Sequence, residues 1–157
     1  MRLLFKQRGL TLLNKYDIYD EDGNTVYVVE QQFGFVTRLI VTDPDGYPLG
    51  EVKRQMMRWR PHFDFIVDDS LAGTMRREFS PFHPTYTLDW NGWTVEGNFI
   101  GWDYHILDAN GVEVASISKE LMHWTDTYII DVFDPSNALL CLMIVLAIDV
   151  EKAANNS

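Results

Sequence analysis

Hydrophobic and polar residues alternate along most of this chain, and one short turn breaks the alternation at regular intervals. "YDIYDEDGNTV" from Tyr16, "LIVTDPDGYPL" from Leu39 and "YHILDANGVEV" from Tyr104 share a pattern. Each has an apolar residue, a second two places on, an Asp, a turn ending in Gly, then Val or Leu. Spacing by two puts the apolar side chains on one face of a strand. Asp-Gly and Asn-Gly favour hairpins because glycine accepts positive φ. "FDFIVDDSLAGTM" and "YTLDWNGWTV" are looser copies, and "TYIIDVFDPSN" adds a last strand. An Asp ends a strand at positions 20, 43, 68, 89, 108 and 131. The pattern predicts about twelve strands, near 2–7, 14–20, 25–33, 37–43, 48–57, 62–68, 72–79, 84–90, 93–99, 102–108, 112–120 and 126–133.

The alternation gives way to "NALLCLMIVLAID", in which the eleven residues 138–148 carry no charge. Eleven helical residues rise about 16 Å, whereas a membrane span needs roughly 20 apolar residues. Asp131 and Asp134 precede the run, and Asp149, Glu151 and Lys152 follow it. These features argue against an integral membrane span. The run is also too long for a typical buried strand. Asp134 can cap a helix and Pro135 suits its first turn. A helix apolar on every face must be buried on every face. A closed sheet loses its edges, but a twelve-stranded barrel is too wide for its own side chains to fill. The chain is therefore expected to be mainly β, an antiparallel closed barrel around a central apolar helix near 135–150. Residues 1–152 are expected to form one domain, with 153–157 a short polar tail.

Three stretches carry a resemblance to a known family: "KYDIYDEDGNTVYVVE", "GWTVEGNFIGWDYHILDANGVEVASISKE" and "DTYIIDVFDPSNALLCLMIVLAID". Hairpin-like units closing in an apolar helix resemble the LURP-one-related proteins. That family is grouped with tubby C-terminal domains and phospholipid scramblases in the tubby-like fold. The resemblance implies a twelve-stranded barrel around a C-terminal helix and no established catalytic residues. It also implies a link to lipid, because tubby domains bind phosphoinositides through basic side chains and scramblases are tied to lipid movement. The chain lacks a scramblase-like calcium segment.

Composition narrows the function. Hydrophobic content of 46% and aromatic content of 13% fit a folded globular chain. A net charge of −10 argues against general nucleic-acid binding. The charge is uneven: residues 53–77 hold 6 Lys+Arg against 3 Asp+Glu, while residues 78–157 hold 2 against 12. Cys141 is the single cysteine and lies inside the apolar run, where it reads as a small buried hydrophobe. The start, "MRLLFKQRGL", does not read as a signal peptide, which together with the lone cysteine points to the cytoplasm.

The basic island is the candidate site. Lys53, Arg54, Arg58 and Arg60 cluster around Trp59, and Arg76 and Arg77 follow on the next unit. Guanidinium forks suit phosphate, and Trp59 suits an interface. The other reading is a solvated edge whose cations discourage strand aggregation. "DEDGN" and "DPDGY" resemble calcium loops only superficially, because an EF-hand needs Gly at position 6 and Glu at 12. Counting from Asp20 those positions are Thr25 and Gln31; from Asp43 they are Pro48 and Arg54. His62, His83, His105 and His123 lack metal-ligand spacing, so no metal or cofactor is expected. His62 with Asp64, or His105 with Asp103, could form an acid–base pair, but no nucleophile motif accompanies either.

The chain is thus expected to be a non-enzymatic intracellular binding or scaffold protein whose ligand is an unknown protein partner or a phospholipid head group. One alternative is a phosphoinositide or anionic-phospholipid module using the basic island. Another is a small enzyme built on an Asp–His pair.

Overall fold

The structure is a computed structural model that describes residues 1–6, 14–55, 62–78, 84–122 and 125–155. Twelve strands follow one another: β1 (Arg2–Lys6), β2 (Lys15–Tyr19), β3 (Thr25–Gln32), β4 (Thr37–Thr42), β5 (Pro48–Arg54) and β6 (His62–Val67), then β7 (Ser70–Glu78), β8 (Thr85–Leu88), β9 (Thr94–Asn98), β10 (Asp103–Leu107), β11 (Glu113–Met122) and β12 (Thr125–Val132). A 3-10 turn, Pro135–Asn137, leads into α1 (Ala138–Asn155). Each strand pairs antiparallel with its sequence neighbours, and β1 also pairs with β12 from Arg2↔Asp131 to Lys6↔Thr127, closing the barrel. The expected mainly β architecture is the observed one.

The recurrent Asp has a local explanation. Asp20 accepts hydrogen bonds from the backbone N–H groups of Asp22 (3.0 Å) and Asn24 (2.8 Å). Asp43 does the same with Asp45 (2.9 Å) and Tyr47 (2.8 Å), and Asp108 with Asn110 (2.8 Å) and Val112 (3.0 Å). In each turn the Gly takes a left-handed φ, +82° at Gly23, +90° at Gly46 and +78° at Gly111. The carboxylate satisfies turn N–H groups that strands leave open, which is why an Asp recurs there. Asp68 departs from this. With Asp69 it forms a two-residue turn in which both φ are positive (51° and 59°), so β7 starts at Ser70, two residues before the expected boundary.

α1 runs up the barrel axis. Residues 141–148 are each at most 1% exposed, so more than two turns are sealed on all sides. Strand residues that alternate inward meet them, among them Ile18, Val29, Val52, Phe65, Met75 and Ile106. Burial of each large side chain contributes about 1.5–3 kcal/mol as an upper estimate. Asp134 caps the entry, accepting from the Ser136 N–H at 3.0 Å. α1 continues to Asn155, beyond the end expected near 150 and into the polar tail. Two contacts hold this extension: Glu151 is 1% exposed, and the Lys152 ammonium donates to the Ile100 carbonyl at 2.7 Å. Among the described residues, no helix is long and apolar enough to cross a membrane.

Two substitutions test this architecture. Ile144→Asp is expected to abolish the cooperative melting transition, since a lone charge would enter a site of 0% exposure. Circular dichroism during heating checks this. Gly97 has φ +136°, and a Cβ there would lie 2.7 Å from the Asp103 carbonyl oxygen and the Tyr104 Cα. Backbone atoms cannot swing aside, so Gly97→Ala is expected to cost more than about 1 kcal/mol in urea unfolding.

Candidate functional site

Strand alternation splits the expected basic island between two faces. On β5, Val52 points into the core at 1% exposure, so Lys53 faces outward and Arg54 inward. On β7, Met75 points inward at 0%, so Arg76 faces outward and Arg77 inward. Arg54 and Arg77 therefore share the inner lip of the barrel where α1 ends, while Lys53 and Arg76 lie on its outer wall. Arg58, Trp59 and Arg60 lie outside the described residues, in the sequence between β5 and β6.

The mouth at that lip is a built arrangement. The carboxylate of Glu151, near the end of α1, accepts a hydrogen bond from the Tyr86 hydroxyl of β8 and a 3.3 Å contact from Arg77. Burial, reinforced by the Glu151 charge, pushes the Tyr86 phenol well above its usual range, so it stays a donor. Next to it, the Lys152 ammonium stands 4.8 Å from the Trp102 ring, which stacks on Tyr128 at 3.7 Å. Burial pushes the Lys152 pKa down, and nearby Lys119 adds to this. Beneath the mouth the Tyr104 hydroxyl is fully buried without a hydrogen-bond partner. A cavity of about 220 Å³ opens among Arg77, Tyr86, Phe99, Ile100, Ile148, Glu151 and Lys152. Of these, sequence reasoning found only Arg77. The available signal was the acidic residue one turn past the apolar run: Glu151 lies three places after Ile148, on the same side of the helix.

The other candidates resolve into local contacts. His62 lies 3.0 Å from Asp64, whose carboxylate also accepts from Gln55 (2.7 Å) and Thr74 (3.1 Å). His105 pairs with Glu113 across the strand and not with Asp103. Neither histidine lines the mouth cavity. His83 and His123 lie outside the described residues. Among the described residues, no group of three or more His, Cys, Asp or Glu could hold a metal ion. Burial pushes the Cys141 thiol up to about 12, so it remains a protonated, inert part of the core.

The two barrel ends differ in chemistry. Six segments join elements at the end where α1 begins: 20–24, 43–47, 68–69, 89–93, 108–112 and 133–137. Each contains an Asp, and none contains Lys or Arg. At the opposite end the described connections are 33–36 and 99–102; the stretches 7–13, 56–61, 79–83 and 123–124, which follow β1, β5, β7 and β11 in the sequence, lie outside the described residues. None contains Asp or Glu, while they carry Arg8, Arg58 and Arg60 among many Phe, Trp, Leu and Met residues. Phe33, Phe35 and Ile100 at this end are 70%, 98% and 84% exposed.

A family model described as LURP-one-related matches residues 1–149. Uncharacterized protein YxjI of Bacillus subtilis (strain 168) is 21% identical over 151 residues, spanning 96% of this chain and 93% of its own length. An X-ray structure of a protein from Arabidopsis thaliana aligns with a TM-score of 0.62 at 14% identity, covering 94% of this chain and 91% of that one. Its likeness supports the fold.

The Asp64 cluster yields a pH-dependence prediction. Burial raises the Asp64 pKa, but hydrogen bonds from Gln55 and Thr74, with His62 nearby, outweigh it and the net shift is downward. A carboxylate with a depressed folded pKa stabilises above its unfolded value, about 3.9, and loses that contribution as pH falls through the folded value. Asp64→Asn is therefore expected to lose about 1 kcal/mol at pH 7. Urea unfolding should show that deficit closing below about pH 4.

Proposed function

The chain belongs to the LURP-one-related family, and we propose that it acts as a non-enzymatic binding module whose basic end docks on anionic phospholipid, phosphoinositides included. The observation that carries this is the separation of charge between the two sets of connecting segments. An overall charge of −10 would repel an anionic surface if it were spread evenly. Here the Asp-bearing turns gather at one end, and the 18 residues of α1 separate the ends by about 27 Å. That exceeds the screening length of about 8 Å at physiological ionic strength. An anionic surface approached by the other end meets connecting segments whose sequences carry no Asp or Glu, and the acidic end steers the barrel into that orientation.

Exposed apolar side chains occur at both ends, Tyr47, Val112 and Phe133 at the acidic one, but only at the other are they free of neighbouring turn carboxylates. Phe33, Phe35 and Ile100 stand out into solvent there, as side chains that enter a headgroup layer do. The barrel wall does not suit hydrocarbon. Asp17, Glu51, Asp64, Glu96 and His105 alternate outward along it, so the protein is read as lying on a membrane and not spanning it. A cytoplasmic protein would meet such a surface on the anionic inner leaflet.

Sedimentation with vesicles tests this. The chain is expected to pellet with phosphatidylserine vesicles at low salt, to be released as salt rises, and to ignore pure phosphatidylcholine. Arg58→Glu with Arg60→Glu, and separately Phe33→Ser with Phe35→Ser, should each weaken binding. The Phe33 and Phe35 pair should shift stability by no more than about 0.5 kcal/mol per exposed site. Equal binding to neutral vesicles, or binding that survives both double variants, would sink the proposal; no binding at low salt would leave protein scaffolding as the role of this end.

A further inference from the structure

We infer that the barrel mouth at the basic end is a binding pocket for one amphiphilic anion bearing a single negative charge, its head against Arg77 and Lys152 and its aliphatic chain along Phe99, Ile100 and Ile148. The inference rests on the docking reading only for where such a ligand would be met.

The lining divides into two chemistries. Phe99 and Ile148 are 9% and 1% exposed, and Phe99 packs edge-on against Tyr86 with ring centroids 5.1 Å apart, so one wall is apolar and fixed. Ile100 extends that wall to the lip, where 84% of it faces solvent. Opposite stand the two cations. Arg77 is 38% exposed and spends one donor on Glu151, and a guanidinium has five N–H donors to offer. Lys152 is held in place by the Ile100 carbonyl and the Trp102 ring, so its ammonium is already positioned. A pre-positioned cation loses little freedom when a ligand arrives.

Charge selects the head. Among the residues lining the mouth, Arg77 and Lys152 are cationic and Glu151 is anionic. The excess is positive but modest, which suits one carboxylate or one phosphodiester better than a polyphosphate. Glu151 does not compete for a ligand cation, because Tyr86 and Arg77 already occupy its oxygens. Its role is to fix the pocket floor by tying α1 to β7 and β8. A volume of about 220 Å³ falls below the roughly 300–1,000 Å³ of pockets for drug-sized ligands. It accommodates a head and part of one chain, with the remainder lying over Ile100.

The test uses the full chain and a monomeric spin-labelled stearate, followed by quenching of tryptophan fluorescence, with the methyl ester of the same probe as neutral control. One equivalent of stearate is expected to quench saturably, and the ester is not. Lys152→Gln should weaken binding about tenfold, the usual scale for a charged hydrogen bond. Ile100→Glu places a like charge at an exposed lip position and should abolish binding with an unchanged melting curve, so loss of fold is not confused with loss of the site. Dihexanoyl phosphatidylglycerol displacing the stearate would identify phospholipid as the ligand source; failure to displace it would identify a free fatty carboxylate. Equal quenching by the ester, or parental affinity in both variants, would overturn the pocket. Phosphatidylserine vesicles that still sediment the chain when stearate fails would overturn this inference alone, whereas stearate binding without vesicle docking would overturn only the docking reading.

Discussion

Residues 141–148 of α1 touch no solvent on any side, and the barrel exists around that fact. Twelve strands enclose more space than their own inward side chains can fill. The helix fills it, and only a helix apolar all round can do so without leaving a buried polar group unsatisfied. The direction of α1 then orders the molecule. Its N-terminus, which carries partial positive charge, opens at the end where the Asp-bearing turns gather, and its C-terminus opens beside Arg77, Lys152 and Glu151. The N-terminal end of the helix dipole therefore faces carboxylates, while the C-terminal end meets Lys152 and the Glu151 carboxylate that Arg77 and Tyr86 hold.

Charge separation follows from the same arrangement. In an up-and-down barrel every second connection returns to the same end. A turn that needs an Asp for its own hydrogen bonds, repeated once per two strands, places all its carboxylates together. Asp20, Asp43 and Asp108 serve local turn geometry, and the acidic end is the sum of such local choices. The connecting segments between the other strand ends contain no Asp or Glu in their sequences. That asymmetry is what makes the basic end a candidate for contact with anions.

The basic island was legible as a cluster of cations and misleading as a single face. Neighbouring residues on a strand point to opposite sides, so Lys53 and Arg54 part company, as do Arg76 and Arg77. The inward Arg77 meets Glu151, which Tyr86 also holds, and Glu151 comes from an element far away in sequence. No local pattern links position 77 to position 151. Their proximity depends on how far α1 travels before it reaches the mouth, which is set by helix rise against strand length.

Period-two alternation and the Asp-to-Gly turn determined twelve strands to within a residue or two at most ends, since both act over fewer than ten neighbouring residues. The uncharged run determined a buried helix, because its length is too short to span and its faces are all apolar. The LURP-one-related resemblance rested on those same stretches, and the match over residues 1–149 agrees with it. Tertiary structure alone decided the rest. Barrel closure brought β1 to β12, gathered the Asp-bearing turns at one end, and carried α1 past its apolar run until Glu151 reached Tyr86 and Arg77. Those are contacts between residues tens of positions apart, and a chain read one segment at a time contains no force that distinguishes them until packing has fixed the distance.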